Sequence, residues 1–433
     1  MRPGEAPNTE PAIPGVRVVL DLRPLQEPER GPVTAAYLDE LLAAYAAEVN
    51  PGESFTFVLQ AGLPDPSEAL ESIDQLDVAG RRWLPPTHLL RSGALAVDPF
   101  LLRTASFAAA WRAASRGATG AVYHAAGGAV PIASGMPLVV SLLDAAPWEL
   151  PKAYQRTPTA RFGQRLRARI LQTAAAVIVP SNAAATVARR LLHVRRDRLV
   201  VVPLAARRSF TERIVEPEGP AASVATAAAA EERRLRGVPE RYFVYTGRYD
   251  ARQDLATLLH ALHLVAAGPA PRRPDVPWPP HVLLVGATTD DRAALGRAAA
   301  REGVGELLSY APRLEPATLA ALVAGARAVL VPALSDVAGL GALDALAVGT
   351  PVVGTTVGAL PEVVRRAGIL AEPRDADRFA AALRTAWADD AVHGRLSRAA
   401  REAGNGPAGA RRTWADVARE TRAVYANAGA RGS

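Results

Sequence analysis

Two carboxylates and two glycines lie close together in residues 335–353, S-D-V-A-G-L-G-A-L-D-A-L-A-V-G-T-P-V-V. Asp336 and Asp344 are eight residues apart, and Gly339 and Gly341 lie between them. A glycine-rich turn that opens a helix presents backbone N–H groups and a partial positive charge, which suits a phosphate. Carboxylate oxygens accept hydrogen bonds from hydroxyls such as those of a sugar. The stretch is therefore a phosphate-and-sugar site, the remains of one, or only a loop, a helix and a strand.

Other polar residues with suitable chemistry follow apolar runs elsewhere in the chain. Arg248 follows the first apolar run of the second half, with Arg252 close behind it, and Asp144 follows a run in the first half. The chain contains one lysine, so a phosphate clamp would consist of arginines or backbone N–H groups. The planar fork of arginine fits phosphate well.

Each candidate also has an ordinary structural interpretation. Asp336 is a suitable cap for the turn that follows it, Asp344 fits the solvated face of a helix, and the glycines fit tight backbone geometry. Arg248 fits a surface salt bridge, and Asp144 fits a loop cap. His124, after a short strand, is either structural or part of a site.

Composition limits the class of protein. The chain has 433 residues, a formal net charge of +7 and no cysteine. This length predicts two domains, and the lack of cysteine excludes disulfides, thiolate metal sites and a cysteine nucleophile. Aromatic residues are only 5% and scattered, which disfavours nucleic acid as a partner. No apolar run approaches the length of a membrane span, and the N-terminus lacks an apolar signal region, so we expect a cytoplasmic protein.

Two series of short apolar runs, separated by helical patterns, predict two parallel sheets that are covered on both faces. The predicted strands of the first series are 16–22, 54–60, 121–124, 138–143, 174–179 and 199–202. Those of the second series are 242–246, 281–285, 307–310, 328–331, 352–354 and 368–370. Helices are predicted over 37–49 and 413–427, and the proline-rich residues 269–280 form an exposed insertion.

We therefore predict an α/β protein with two doubly wound parallel-sheet domains that face a cleft. The predicted parts are a flexible tail at 1–14, a first domain at 15–211, a linker and helix at 212–240, a second domain at 241–405 and a C-terminal helix within 406–433. Ligands of such sheets bind at the carboxyl ends of the strands. The cleft between the two domains is the natural site.

Six groups of motifs, in order along nearly the whole chain, resemble the retaining glycosyltransferases of family 4 (glycosyl transferases group 1), in their bacterial mannosyl and rhamnosyl branch. The motifs are D-L-R-P-L at 21–25, V-V-S-L-L-D-A-A-P-W-E-L-P at 139–151, V-I-V-P-S-N at 177–182 with V-V-V-P-L at 200–204, Y-T-G-R-Y-D-A-R-Q-D-L at 245–255, residues 335–353 with L-P-E-V-V at 360–364, and the helix around Trp414. The resemblance implies the GT-B fold. In that fold two Rossmann-like domains face each other, the second binds the donor, and the C-terminal helix crosses back to the first domain.

The resemblance also implies a role for each motif residue. Asp336, at the sugar hydroxyls, and Asp144, in the acceptor-side loop, are the candidate catalytic residues. The residues assigned to a nucleotide-diphosphate sugar are Arg248, Arg252, Gln253, Gly339, Leu340, Gly341 and Asp344. Within that set the glycine-turn amides and Arg248 neutralise the charge that grows on the leaving phosphate, and Asp344 holds the ribose hydroxyls. No metal ion or cofactor is implied.

Several positions depart from the family pattern. Gln253 stands where the family has a phosphate-binding lysine, and Leu143 stands where it has a histidine. Asp336 and Asp344 stand where it has glutamate, which is one methylene longer. Residues 33–35 replace a glycine-rich acceptor loop. Loss of a charged phosphate donor typically removes a few kcal/mol of transition-state stabilisation.

Three functions remain open at this point. The first is a retaining, metal-independent glycosyltransferase of polysaccharide biosynthesis, which moves a hexose from a nucleotide-diphosphate sugar to a glycan or lipid-linked acceptor. The second is a catalytically degenerate homologue that binds a glycan or a nucleotide or supports a partner, and the third is a sugar-nucleotide epimerase. Residues 161–173 place three arginines beside an apolar stripe, which is typical of a core-packed helix with a basic edge or of peripheral contact with anionic lipid at the inner face of a membrane.

Overall fold

The computed structural model describes residues 15–66, 74–87, 94–115, 120–215, 220–405 and 411–430. The predicted tail at 1–14, residues 216–219 of the predicted linker and residues 406–410 lie outside the described residues. The described residues contain two parallel sheets with helices between their strands, so the predicted fold class is confirmed.

The first sheet has seven strands among the described residues. They are β1 (Arg17–Asp21), β2 (Ser54–Gln60), β3 (Val78–Leu84), β4 (Ala121–Ala125), β5 (Leu138–Ser141), β6 (Ala176–Val179) and β7 (Leu199–Val201). Their order is β3-β2-β1-β4-β5-β6-β7, with all neighbours parallel. The direction of winding changes between β1 and β4, which is where a doubly wound sheet forms its ligand crevice.

The second sheet has six strands among the described residues. They are β8 (Phe243–Tyr245), β9 (Val282–Val285), β10 (Leu308–Ala311), β11 (Ala328–Val331), β12 (Val352–Thr355) and β13 (Gly368–Ala371). Their order is β10-β9-β8-β11-β12-β13, again parallel, and the winding reverses between β8 and β11. The loops after β8 and β11 carry the arginines and the glycine turn that sequence predicted for the site.

Sequence analysis did not predict β3. This strand reads V-A-G-R-R-W-L and alternates between partly buried and exposed residues along most of its length. It lies at the edge of the first sheet, where one of its two sides has no neighbouring strand among the described residues. An edge strand does not need the continuous apolar run by which the inner strands are recognised.

Helices connect the strands of both sheets. They are α1 (Arg23–Gln26), α2 (Pro32–Ala47), α3 (Ala94–Ser115), α4 (Ala146–Glu149), α5 (Pro151–Tyr154), α6 (Pro158–Thr173), α7 (Asn182–Arg190), α8 (Arg208–Val215), α9 (Pro220–Leu235), α10 (Leu255–Ala267), α11 (Thr289–Glu302), α12 (Pro316–Gly325), α13 (Leu340–Ala347), α14 (Leu360–Val364), α15 (Ala376–Ala388), α16 (Asp390–Asn405) and α17 (Trp414–Ala430). Within the described part of the chain, none of them combines the length and the apolar character needed to cross a membrane.

The C-terminal helix α17 packs on the first domain, against α2 and the strands β4, β5 and β6. The hydroxyl of Tyr425 lies 2.7 Å from Nδ1 of His124, and Nε2 of His124 lies 2.9 Å from the hydroxyl of Ser141. Burial lowers the pKa of His124 to about 3, so its ring is neutral at ordinary pH. This buried chain of hydrogen bonds attaches α17 to the sheet and supports the structural interpretation of His124.

Candidate active site

Arg248 lies on the loop after β8, at the carboxyl end of the second sheet. Its Nε donates to Oδ2 of Asp250 at 2.8 Å, and its Nη1 donates to the backbone oxygen of Arg30 at 3.1 Å. Since Arg30 precedes α2 of the first domain, Arg248 stands between the two domains. Its side chain is 27% exposed, which leaves the guanidinium within reach of a ligand.

Arg252 crosses the cleft to the first domain. Its Nη2 and Nε lie 2.8 and 3.3 Å from the two carboxylate oxygens of Asp144, and its Nη1 lies 2.9 Å from Oδ2 of Asp250. The guanidinium also lies 5.0 Å from the centre of the Tyr154 ring. Burial acts to raise the pKa of Asp250, but Arg252 and Arg248 outweigh it and hold that pKa below its ordinary value. Two residues that sequence assigned to the site, Arg252 and Asp144, thus meet in one bidentate ion pair.

Asp336 closes the turn that precedes α13. Its Oδ1 accepts hydrogen bonds from the backbone N–H groups of Ala338 at 3.2 Å and Gly339 at 2.8 Å. Burial raises the pKa of Asp336, and these two amides partly offset the effect. Gly339 has a φ of +64°, in the left-handed region that favours glycine. The Gly339 amide, which sequence assigned to a phosphate, is therefore already bound to a carboxylate, as the turn-capping interpretation of Asp336 requires.

The glycine turn is only partly accessible. Ala338 and Leu340 are 3% and 6% exposed and pack into the hydrophobic core of the first domain. Gly341 is exposed, and among the described residues no atom lies within 4 Å of the place where a Cβ would stand. The N–H groups of a first helical turn have no acceptor within the helix. Gly339 and Leu340 are buried, so among the three residues whose amides were assigned to the diphosphate only Gly341 is exposed.

Asp344 is buried inside α13 and paired with the segment that links the domains. It is 2% exposed, and its two oxygens accept hydrogen bonds from the backbone N–H of Arg207 at 2.9 Å and from its Nε at 2.8 Å. Burial raises the pKa of Asp344, with Arg207 acting in the opposite direction. The alternative of a solvated helix face is therefore wrong. Its assignment to ribose stays a prediction, since Arg207 now holds both oxygens.

Leu143 and Gln253, two of the positions that depart from the family pattern, have different surroundings. Leu143, in place of histidine, is 4% exposed and belongs to the core of the first domain. Gln253, in place of lysine, forms an antiparallel bridge with Ala333, and its Oε1 is buried without a hydrogen-bond partner among the described residues. Leu143 therefore contributes only packing, whereas Gln253 keeps one polar atom unused.

A carboxylate that the sequence did not predict joins the two domains. Glu362, in α14 of the second domain, accepts hydrogen bonds from the backbone N–H groups of Asn182 at 3.0 Å and Ala183 at 2.7 Å. These amides open α7 of the first domain, and a carboxylate there is favoured by the helix dipole. The motif L-P-E-V-V contained the residue, but nothing in it indicated a partner in the other domain.

Two further hydrogen bonds across the cleft were also not predicted. The hydroxyl of Ser335 donates to Oε2 of Glu149 at 2.5 Å, and the buried hydroxyl of Ser181 donates to the backbone oxygen of Val337 at 2.8 Å. Burial raises the pKa of Glu149, while the bond from Ser335 acts to lower it. Both bonds reach the segment between β11 and α13, so that segment is held by the first domain from two directions.

The motif D-L-R-P-L builds a buried ion-pair cluster at the carboxyl end of β1. Arg23 contacts both oxygens of Asp21, at 2.9 and 2.7 Å, and Oδ2 of Asp98 at 2.7 Å. Asp21 is fully buried, and Asp98 lies in α3. The cluster ties the carboxyl end of β1 to α3.

Arg248 and Arg252 can bind an anion only if it displaces the carboxylates that already pair with them. Arg248 and Arg252 both face the cleft, yet each is paired with a carboxylate of the chain itself. A diphosphate that binds both arginines must compete with Asp144 and Asp250, and phosphate suits the bidentate geometry of arginine as well as a carboxylate does. Within the described residues, no group of three or more His, Cys, Asp or Glu side chains is placed to hold a metal ion.

Residues 240–389 match the family model described as "Glycosyl transferases group 1". The chain is 33% identical over 193 residues to D-inositol 3-phosphate glycosyltransferase of an Arthrobacter species, an alignment that covers 43% of this chain and 44% of that protein. The chain spans about half, or less, of the length of the first curated relatives that it matches.

Solved structures share the fold over nearly the whole chain. Sucrose-phosphate synthase from Thermosynechococcus elongatus superposes with a TM-score of 0.64 at 18% identity, covering 95% of this chain and 98% of that one. The Anabaena protein HepE in complex with UDP-glucose superposes with a TM-score of 0.64 at 15% identity, covering 93% and 97%. At these identities the likeness shows the two-domain fold alone.

Proposed function

We propose that this chain, a GT-B protein whose second domain belongs to the glycosyl transferases group 1 family, transfers a hexose from a nucleotide-diphosphate sugar to an acceptor. The observation that carries the proposal is the position of Arg248 and Arg252. Both lie on the loop after β8, at the switch point of the second sheet, and both face the first domain. The comparisons support the class of reaction, since the family match covers this loop and the glycine turn.

In the proposed reaction the diphosphate replaces carboxylates at the arginines. Arg248 would exchange Asp250 for the diphosphate, and Arg252 would exchange Asp144. Negative charge grows on the diphosphate as its bond to the anomeric carbon breaks, so fixed cations and the exposed amide of Gly341 lower the barrier. The acceptor hydroxyl attacks the same face, and the departing phosphate oxygen takes its proton. Retention by this route needs neither a nucleophilic side chain nor a metal ion.

The choice of a nucleotide-activated sugar is supported by two named proteins. HepE was solved with UDP-glucose in the same two-domain fold. D-inositol 3-phosphate glycosyltransferase, the Arthrobacter relative, is named for a glycosyl transfer. Neither name specifies the base, the sugar or the acceptor of this chain.

The test is a panel of UDP- and GDP-sugars, read out by calorimetry and by release of the nucleoside diphosphate. We expect one donor to bind, and its hydrolysis or transfer to depend on Arg248. The Arg248→Ala variant removes the proposed phosphate contact, and Arg378→Ala removes an exposed arginine of α15 that pairs with Asp375. Unchanged donor affinity and rate in Arg248→Ala would refute the site assignment.

A second candidate function is non-catalytic, and one observation favours it. The cations assigned to the diphosphate are paired with carboxylates, the Gly339 amide is bound to Asp336, and Leu143 and Gln253 lack the charge of the family residues. A homologue that binds a glycan or supports a partner has no need of free phosphate donors. No thermal shift with any nucleotide or nucleotide sugar would favour this candidate over the enzyme.

We further propose that the first domain contacts an anionic lipid surface. An exposed apolar stripe runs along α3, with Val97, Phe100 and Phe107 each 41 to 49% exposed. Trp83 on β3 and Phe162 on α6 are exposed by 49% and 52%, and both elements pack against α3. Single exposed apolar residues are ordinary, but these five large ones lie on three elements that pack together, and we call them the apolar patch.

The positive charge beside this patch favours an anionic lipid surface as its partner. Arg161, Arg165 and Arg169 are exposed on α6, and no ion pair of theirs is found in the described part of the chain. Basic side chains beside exposed aromatics are the composition that binds an anionic membrane interface. Asp98 follows Val97 directly in α3, and it belongs to the buried cluster at the carboxyl end of β1. Under this proposal the patch would lie on the side of the cleft where a lipid-linked acceptor arrives.

A further inference from the structure

A cavity of about 500 Å³ lies at the amino ends of β5 and β6 in the first domain. It is lined by the segment before β5, the last turn of α6 and the segment before β7. Asp144 and Ser181, which follow β5 and β6 at their carboxyl ends, contact the second domain instead. The cavity is therefore at the opposite edge of the sheet from the cleft, and its volume is within the range of small-molecule sites.

The inner wall of this cavity is apolar. Met136, Leu138 and Ile170 line it, and all three are buried residues of one hydrophobic cluster in the first domain. None of the described residues that line the cavity is aromatic, so it offers no ring on which a nucleotide base could stack. An apolar part of a ligand leaves water when it lies against such a wall, which favours binding.

The two hydroxyl groups of the lining already donate to the backbone. Ser134 donates to the backbone oxygen of Met136, and Thr173 donates to that of Ile170 at 2.9 Å. A sugar or polyol in the cavity would leave several of its own hydroxyl groups without partners, which costs free energy. The wall therefore favours a hydrocarbon over a polyol.

Arg198 supplies a fixed positive charge at the wall. Its Nη1 donates to the backbone oxygens of Gln172 at 2.7 Å and Ala174 at 3.1 Å, which hold the guanidinium at the end of α6. Its Nε and Nη2 form no hydrogen bond within the described part of the chain, and no carboxylate there pairs with it. A guanidinium that is positioned by carbonyl groups keeps its charge and its other donors for an anion.

Arg195 adds a second positive charge at the rim of the cavity. Its Nε and Nη2 donate to the two oxygens of Asp197, at 3.0 and 2.8 Å, and the two side chains are 69% and 60% exposed. Arg195 holds the pKa of Asp197 below its ordinary value, and Arg198 acts in the same direction. An exposed ion pair contributes little free energy, so an incoming anion can replace Asp197 at Arg195.

The surroundings of the cavity are strongly basic. Residues 189–198 contain five arginines and one carboxylate, Asp197. Three of these arginines are exposed and form no ion pair with described residues: Arg189, Arg190 and Arg196. A neighbouring cavity of about 370 Å³ shares Asp197 and Arg198 and adds one carboxylate, Glu420, which is paired with Arg412. A surface with one sign of charge raises the local concentration of ligands of the opposite sign.

We propose that the cavity before β5 binds an amphipathic anion, with its charged group at Arg198 and Arg195 and its hydrocarbon chain against Met136, Leu138 and Ile170. The charged group is a carboxylate or a phosphate monoester, since both fit the guanidinium fork. This inference does not depend on the proposed glycosyl transfer, because the cavity lies outside the cleft.

The experiment compares five small molecules by calorimetry on the full chain, all below the concentrations at which they form micelles. Decanoate and decyl phosphate carry both the chain and the charge, decanol carries the chain alone, and acetate and inorganic phosphate carry the charge alone. We expect at least one decyl anion to bind, and the three partial ligands to bind roughly tenfold more weakly or less. Binding of decanoate alone identifies a carboxylate ligand, and binding of decyl phosphate alone identifies a phosphate monoester.

Two substitutions at the rim should act in opposite directions. Arg195→Gln removes a charged donor and should weaken binding of the decyl anion roughly tenfold. Asp197→Asn removes the competing carboxylate and should tighten it about threefold. Both side chains are exposed, so the unfolding temperature should stay unchanged. Arg378→Gln, which removes an exposed arginine of α15 paired with Asp375, is the matched control and should not alter binding.

A third substitution tests the place of the hydrocarbon chain. Thr173→Trp puts a larger side chain at an exposed position of the cavity lining and should weaken binding of the decyl anion. Thr186→Trp, at an exposed threonine of α7 that makes the same kind of hydrogen bond to the backbone of its own helix, should leave it unchanged. Binding by neither decyl anion, decanol binding as tight as decanoate binding, or equal effects of the two tryptophan variants would overturn the inference.

Discussion

The arginines of α6 belong to the first domain and those of the loop after β8 to the second, and the two groups differ in their ion pairing. On the loop, Arg248 and Arg252 are both paired with carboxylates, and their shared partner is Asp250. On α6, Arg161, Arg165, Arg167 and Arg169 form no ion pair within the described residues. Paired arginines hold the two domains together, whereas unpaired ones are available to something outside the chain.

The difference shows that electrostatic pairing and predicted function do not coincide. The residues that resemble a donor site are those whose charges are already neutralised inside the molecule. The helix that no motif assigned to catalysis carries the free positive charge. A ligand on the loop side must displace a carboxylate, while an anionic surface at α6 meets arginines that pair with no carboxylate of the described residues.

The largest expected effect comes from removing a paired arginine of the loop. Arg248→Ala should lower kcat/KM for the donor sugar by roughly 10²–10³-fold, as loss of a preorganised transition-state donor does elsewhere. Rates of nucleoside diphosphate release check this. The Arg378→Ala variant should keep its rate. If Arg248→Ala keeps its rate as well, the pairing with Asp250 is only structural.

The next effect concerns stability and the carboxylate that sequence assigned to ribose. Arg207→Met leaves the buried carboxylate of Asp344 with only the backbone N–H of residue 207 and should destabilise the fold by about 3 kcal/mol at pH 7, because a buried charge loses its paired charge. Denaturant unfolding at several pH values measures this. Arg195→Met, which breaks an exposed pair with Asp197, should leave the midpoint unchanged.

The pH dependence of the same variant has a definite sign. Burial already raises the pKa of Asp344, and loss of Arg207 raises it further. A carboxyl whose pKa is higher in the folded than in the unfolded chain adds stability at low pH, and this contribution is lost as pH rises through the folded pKa. The penalty of Arg207→Met should therefore shrink as pH falls from 7 toward 5. A penalty that grows toward acid pH would show that Asp344 is not its source.

A smaller effect tests whether the unpaired arginines of α6 and the adjoining aromatics meet a membrane. The double substitution Phe100→Ser with Phe107→Ser should weaken binding to phosphatidylglycerol vesicles about tenfold, because each ring loses partial burial in the interface. Replacing Arg161, Arg165 and Arg169 by glutamine should abolish the salt dependence of that binding. Vesicle sedimentation measures both.

The matched control for the aromatic substitutions lies on α9, the linker helix that packs against α12 of the second domain. Val224→Ser with Leu235→Ser removes two exposed apolar residues of α9, which are 70% and 56% exposed. We expect unchanged sedimentation. If the two double substitutions weaken vesicle binding equally, then binding is a general consequence of exposed apolar surface and not of this patch.

The fold was largely predictable because inner parallel strands are continuous apolar runs. The strand over Ser54–Gln60 has the predicted bounds, and so has that over Ala328–Val331. The edge strand β3 was missed because its two arginines and its glycine break the apolar pattern. Helix α17 begins within one residue of its predicted start, since its amphipathic pattern is local.

The site was less predictable because its partners are distant in sequence. Nothing local to Arg252 indicates Asp144, and nothing local to Asp344 indicates Arg207. The burial of Arg167 was predictable from helix periodicity. Arg167 lies off the stripe formed by Arg161, Arg165 and Arg169, so a helix that exposes those three must turn Arg167 inward.

The smallest predicted effect separates the two roles available to Asp144. If its main role is to hold Arg252 across the cleft, Asp144→Asn leaves that arginine paired with Asp250 alone and should tighten donor binding several-fold, since a partly exposed ion pair contributes modestly. If Asp144 takes part in the chemical step, the same change lowers kcat and leaves donor affinity unaltered. Calorimetry with the donor identified from the panel, together with kcat, distinguishes these results. Asp275→Asn, which breaks an exposed pair with Arg273, is the matched control and should alter neither. Tighter donor binding would establish that the Asp144 carboxylate competes with the donor diphosphate for Arg252.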